Sequence, residues 1–167
     1  MKHFIFILFF FLSTFAFGQE KRSDLPLRGT YNYKYFFLDI YEAKLWSPKK
    51  DDTFYSAPLI LELVYKREFP GPDIVKQTGK ELKKAGVDPL VFEKWKPKLL
   101  EIFPDVKVGD SITTTYSPET GMVFSFNNTK KLGEINDLEF SKTFLNIWLG
   151  EKTSEPKMRE MLLGRKN

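Results

Sequence analysis

The stretch Tyr33–Trp46, "YKYFFLDIYEAKLW", places an acid, Asp39, near its middle inside a run of aromatic and apolar residues. Alternate residues of an extended strand share a face, so a single strand here points Tyr33, Tyr35, Phe37, Asp39, Tyr41, Ala43 and Leu45 the same way. Burying an unpaired carboxylate on such a face costs on the order of 3 kcal/mol or more. Asp39 therefore needs either a partner or a task. The stretch itself, rich in aromatic residues and alternating at its C-terminal end, is the opening strand of a sheet.

Upstream, "MKHFIFILFFFLSTFAFG" has a basic Lys2, an apolar run from Phe4 to Leu12 and a small-residue end at Ala16 and Gly18. That is the order of a secretory signal peptide, and the run is short for a bilayer span of ~20 residues. The expectation is cleavage after residue 18 and a periplasmic or secreted protein that meets the membrane only through the removed segment. Residues 19–24, "QEKRSD", form a loose lead-in, and residues 25–167 form one domain. Cleavage removes His3, the only histidine, and there are no cysteines. Ser-His-Asp and Cys-His catalysis, His/Cys zinc sites and disulfides are excluded on composition. No metal or cofactor is expected. Loss of Lys2 takes the net charge from +4 to +3, and the basic residues are dispersed among acids, so no nucleic-acid partner is expected. About 150 residues suffice for one core without staples, and a monomer is expected.

Downstream, "LILELVYKREF" alternates Leu59, Leu61, Leu63, Tyr65 and Arg67 against Ile60, Glu62, Val64, Lys66 and Glu68, a second strand with one apolar face. The period then changes. Ile74, Thr78, Leu82 and Ala85 line one side of a helix ending at Gly86. A second helix starts at Asp88 as N-cap with Pro89 first, and Pro97 should break or kink it into two pieces. Alternation resumes around Ile112, Thr114 and Tyr116 and around Met122, Phe124 and Phe126. "SPETG" supplies one turn, and Asn127 with Asn128 a second. Asn136 and Glu139 suggest a capping box for a helix carrying Phe140, Phe144 and Trp148 on one face. A short last helix buries Met158, Met161 and Leu162 and stops at Gly164. The fold class is α+β, a large antiparallel sheet with helices packed on one face.

Four blocks in this order and spacing, "KYFFLDIYEAKLW", "LELVYKREFPGPDI", "IFPDVKVGDSITTTY" and "FLNIWLGEKTSEPKMREMLLG", resemble the secreted bacterial chalcone isomerase-like proteins. The resemblance covers nearly the whole mature chain. It implies the chalcone isomerase fold, with an apolar ligand cleft between sheet and helices. The wider family includes enzymes that close a chalcone to a flavanone, relatives that bind fatty acids, and members without known catalysis. In the enzymes an arginine, a threonine and a tyrosine serve the reaction. Here Arg28 and Lys34 both stand as candidates for the arginine role, and Tyr41 falls where the enzymes carry a threonine. That departure resembles the fatty-acid-binding relatives, where an arginine and a tyrosine hold the lipid carboxylate.

The expected ligand-binding residues are accordingly Arg28, Lys34, Tyr41, Tyr65 and Arg67. Each has a plainer reading as sheet-face packing or a snorkelling cation. Lys34 and Tyr41 lie on opposite faces of a regular strand, so both reach one cleft only across a bulge. Arg67 is the nearest cation to Asp39 by pattern, and its guanidinium suits a carboxylate, so Asp39 is expected to be a structural residue, partnered by Arg67 or by nearby backbone amides, rather than a catalytic base. The resulting expectation is a non-catalytic binder of a small apolar acid or amphiphile. The alternatives are an intramolecular lyase acting on an enone, and a cell-envelope interaction module that uses the fold as a surface.

Overall fold

A computed structural model describes residues 24–49 and 51–165 of the chain; the expected signal peptide lies outside them, as does the lead-in save Asp24. Six strands, β1 (Leu27–Tyr35), β2 (Leu38–Trp46), β3 (Leu59–Tyr65), β4 (Ser111–Ser117), β5 (Gly121–Phe126) and β6 (Lys130–Ile135), form one antiparallel sheet in chain order. Helices α1 (Gly71–Lys84) and α2 (Pro89–Ile102) sit between β3 and β4 in the chain, and α3 (Leu138–Leu149) and α4 (Pro156–Leu162) follow β6.

The opening stretch is not one strand. It is the second half of β1, a two-residue turn at Phe36 and Phe37, and all of β2, with Tyr35 opposite Leu38. Phe36 makes the turn at φ 54°, a conformation normally left to Gly or Asn. Neither residue is present, so nothing local announces the reversal. The register between β1 and β2 then slips, Tyr33 facing Tyr41 while Lys34 faces Asp39, which leaves Ile40 as the extra residue of a bulge.

One continuous face of the sheet is apolar because pairing aligns the alternating residues strand by strand. Ala43 faces Leu63 and Leu45 faces Leu61. Leu63 faces Ile112 and Leu59 faces Tyr116. Phe124 lies opposite Thr114 and Met122 opposite Tyr116. The helices cover this face. Phe140, Phe144 and Trp148 of α3 are buried there, and Phe144 meets Phe124 edge-on at 5.5 Å. Phe103, at the end of α2, packs on both Phe124 and Phe144. The interval between sheet and helices is thus filled by rings. Close approach of α4 to β1 depends on Gly29, where a Cβ would lie 1.9 Å from the Met161 carbonyl oxygen.

Three local expectations are corrected. Helix α2 runs unbroken through Pro97. Phe92 on one side of it and Leu99 and Ile102 on the other are all buried, so packing holds both halves in one element and outweighs one lost hydrogen bond. The α3 N-cap is Asp137, whose carboxylate accepts from the Phe140 amide at 3.0 Å, so the signal is shifted one residue from Asn136. In α4, Met161 is 46% exposed and Arg159 is buried in its stead. A cation can turn inward there because the end of α3 offers it a carbonyl, described below. The Asp88 cap accepts from the Leu90 amide at 2.9 Å, and Asn127 and Asn128 both take positive φ, as the sequence indicates.

Candidate functional site

The register of β1, β2 and β3 sets Tyr33, Tyr41 and Tyr65 side by side on the helix-covered face. Tyr33 stacks on Tyr41 with ring centroids 5.0 Å apart, and Tyr65 meets Tyr41 edge-on at 6.3 Å. Phe69, just past β3, extends the row by meeting Tyr65 edge-on at 6.0 Å. Backbone hydrogen bonds from the Tyr65 amide to Asp110 and from the Gly109 amide to Tyr65, both 2.8 Å, fix this end of β3.

Helices α3 and α4 add polar contacts from above. The indole N–H of Trp148 donates to the Tyr41 hydroxyl oxygen at 3.1 Å, and that hydroxyl faces Met158 Sδ at 4.0 Å. Tyr65 differs from Tyr41. Its residue is only 4% exposed, yet its hydroxyl makes no hydrogen bond among the described residues. No fully sealed side-chain polar atom among those residues lacks a partner, so this hydroxyl keeps a small area open to solvent. It is a buried donor open to an incoming acceptor.

Burial pushes the hydroxyls of Tyr41 and Tyr65 well above the usual phenol range. Tyr33 is raised by burial and then by the negative fields of Glu155 and Glu81. At neutral pH all three are therefore protonated. In that state each has a proton to donate and none is a base.

The five residues singled out from sequence fall in three places. Tyr41 and Tyr65 are together in the cluster. Arg28 is held at the far end of the hairpin, where Nε donates to the Ser47 carbonyl and an Nη to that of Pro48 at 2.7 Å. Lys34 and Arg67 lie at the turn end of the sheet. The expected Asp39–Arg67 pair is not formed. Asp39 is exposed and pairs with Lys34 at 3.2 Å, because the two-residue turn places them opposite each other and lifts Asp39 out of the core. Arg67 lines a shallow open hollow of about 700 Å³ with Phe37, Leu38, Lys66, Phe69 and Val108. A second hollow, about 530 Å³, lies between α1 and α2 around Val75, Gly79 and Phe92. Neither separates the sheet from the helices. No cluster of three or more His, Cys, Asp or Glu able to hold a metal occurs among the described residues, and no helix there is long and apolar enough to cross a membrane.

Sequence reasoning placed Trp148 in the core but missed its bond to Tyr41. The usable signal was general: a buried indole N–H needs an acceptor. Phe69 and the acids Glu81 and Glu155 carried no signal, since only the folded chain brings them to the tyrosines.

The chain belongs to the chalcone isomerase-like family, which it matches over residues 17–164. An uncharacterized protein of Haemophilus influenzae is 25% identical over 159 residues, covering 95% of this chain and 74% of that protein. The crystal structure of a fatty-acid binding protein of Arabidopsis thaliana superposes with a TM-score of 0.61 over 84% of this chain and 87% of that one. At 13% identity this is a likeness of fold.

Proposed function

We propose that this chain is an exported, non-catalytic binding protein for a small apolar acid, a fatty acid being the leading class, held at the tyrosine cluster. The observation that carries the reading is the buried Tyr65 hydroxyl, which lacks a partner among the described residues beside Tyr41. The head group accepts hydrogen bonds from Tyr65 and Tyr41, and the chain runs past Phe69 toward Leu38 and Val108. The fold shared with a fatty-acid binding protein supports this choice of ligand class. Arg28 is occupied by backbone carbonyls and has no part in the site. Arg67 and Lys34 stand at its outer end.

An intramolecular lyase has less support. Closing a chalcone calls for a cation or strong donor at the developing enolate, and the charges acting on Tyr33 are those of Glu155 and Glu81. The packed interior between sheet and helices favours a different second reading, a module that binds a protein partner in the cell envelope by its surface.

Titration of medium- and long-chain fatty acids against Trp fluorescence tests the proposal, since Trp148 bonds directly to Tyr41. Saturable binding is expected, and Tyr65→Phe should weaken it about ten- to a hundredfold, as for a hydrogen bond to a charged acceptor. Absence of saturable binding for every apolar acid would favour the interaction module. Saturable flavanone formation lost in Tyr41→Phe would favour the lyase. N-terminal sequencing of the purified protein tests export, with Gln19 the expected first residue.

A further inference from the structure

We propose that the β1–β2 hairpin tip is a lipid-surface anchor, seating its aromatic side chains in the interfacial layer of a bilayer that contains anionic phospholipid. Single exposed apolar residues need no explanation. Here four stand in a row at one projecting turn: Tyr35, Phe36, Phe37 and Leu38 are all exposed, Phe36 at 79% and Phe37 at 94%. Val108, also exposed, lines the adjoining hollow with Phe37 and Leu38. Such a contiguous apolar patch marks an interaction site.

Backbone geometry supplies an independent argument. Phe36 has φ 54°, where a bulky side chain is strained and Gly costs nothing. The ring packs edge-on against Tyr35 at 4.7 Å and otherwise faces solvent. Neither the turn nor the core accounts for an aromatic residue at this position. Strain retained where folding does not need it points to function.

Shape, size and charge choose the occupant. A stable protein interface takes about 800 Å² and 20–30 residues per partner, far more than a two-residue turn and its neighbours present. A convex wedge of aromatic residues suits the interfacial layer of a bilayer, where such rings settle at headgroup depth. At its base Lys66 and Arg67 form no ion pair among the described residues, while Asp39 is taken by Lys34 and Glu68 is the remaining acid of the hollow. Exposed cations beside apolar residues favour an anionic surface. The proposal stands independently of any ligand at the tyrosine cluster.

The test is co-sedimentation of the purified protein with phosphatidylcholine vesicles, with and without phosphatidylglycerol. The N-terminus is the same in every variant. Phe36→Gly/Phe37→Ser keeps the turn and removes the rings, and it should weaken vesicle binding about tenfold or more with a thermal midpoint no lower than the parent's. Lys66→Gln/Arg67→Gln should remove the preference for phosphatidylglycerol, as should added salt. In Phe37→Trp, brominated lipid should quench a larger share of the Trp emission than in the parent protein, whose three Trp residues lie away from the tip. Equal sedimentation of parent and Phe36→Gly/Phe37→Ser would overturn the proposal, as would quenching in Phe37→Trp no greater than in the parent. So would a lipid-free dimer in sedimentation velocity that the same double substitution abolishes, since the tip would then serve a second copy. Fatty-acid affinity measured without vesicles should be the same in Phe36→Gly alone, since Phe36 does not line the hollow that the ligand's chain enters, which separates failure here from failure at the tyrosines.

Discussion

Arg159 carries its charge into the seam where α4 meets the end of α3. Its Nε donates to the Leu149 carbonyl at 2.9 Å, and its two Nη groups reach Asp52 at 2.6 Å and Glu160 at 2.8 Å. Arg165 shares both acids. Asp52 is largely solvated, so the ion pairs themselves contribute little; the buried bond to Leu149, at a helix end with no other donor for that carbonyl among the described residues, matters more. Arg159→Met keeps the aliphatic stem and leaves the carbonyl unsatisfied. It should lower stability by about 2 kcal/mol, seen as a lower urea midpoint at unchanged slope. A midpoint equal to that of the parent would show that water replaces the guanidinium freely. Nothing in the sequence "PKMREML" singles out Arg159 over its neighbours, because its role depends on a carbonyl ten residues away. Asp39 illustrates the converse: on one continuous strand it would be buried and need a partner, whereas the fold leaves it exposed beside Lys34. That placement follows from a turn invisible in the residue types.

Among the elements, those with local chemistry at their ends were legible and the one without it was not. Helix α2 begins where Asp88 and Pro89 say it should, and β5 turns into β6 at two asparagines with positive φ. The β1–β2 hairpin turns on Phe36 instead, so alternation across Tyr33–Trp46 read as one strand. The same mismatch yields a prediction about stability. Phe36→Gly relieves left-handed strain worth about 1–2 kcal/mol and loses about 0.5–1 kcal/mol of chain entropy. It should therefore stabilise the protein by about 0.5–1 kcal/mol in urea unfolding. A destabilising effect would mean that the contact between Phe36 and Tyr35 holds the hairpin. A gain in stability together with a loss of vesicle binding would be the signature of a residue kept for function at the expense of the fold.

At the scale of the whole molecule, the architecture was legible because alternation and helical period are summed over many residues, while the site was legible only in part. Tyr41, singled out by the family resemblance, and Tyr65, by its strand face, fall side by side, but Arg28 is held at the far end of the hairpin and Lys34 and Arg67 at its turn end, which strand position alone does not disclose. Titration of the whole protein follows from the same arrangement. The carboxyls of Asp52, bonded to Arg165, of Asp110, bonded to Asn127, and of Glu134, bonded to Lys131, are all held below their ordinary values. A depressed carboxyl contributes stability above its unfolded pKa of about 4, and this is lost as pH falls through the folded value. Burial raises the phenols of Tyr41, Tyr55 and Tyr65. Below the unfolded phenol value of about 10 both states are protonated and the folded state has its full stability; above it the unfolded chain ionises first and stability falls. His3 is the only histidine and lies outside the described residues, so no imidazole among the described residues titrates between about pH 5 and 8. Urea midpoints should thus form a plateau across neutral pH, falling below about pH 4 and above about pH 10. Phenolate absorbance of the buried tyrosines should rise only together with loss of the far-ultraviolet signal. A step in midpoint near pH 6.5, the ordinary imidazole value, would require a titrating group that this packing does not provide. A phenolate signal that forms at the ordinary phenol pH in a still-folded chain and is lost in Tyr41→Phe and Tyr65→Phe would place those two residues in open solvent and remove the buried donor on which the binding proposal rests.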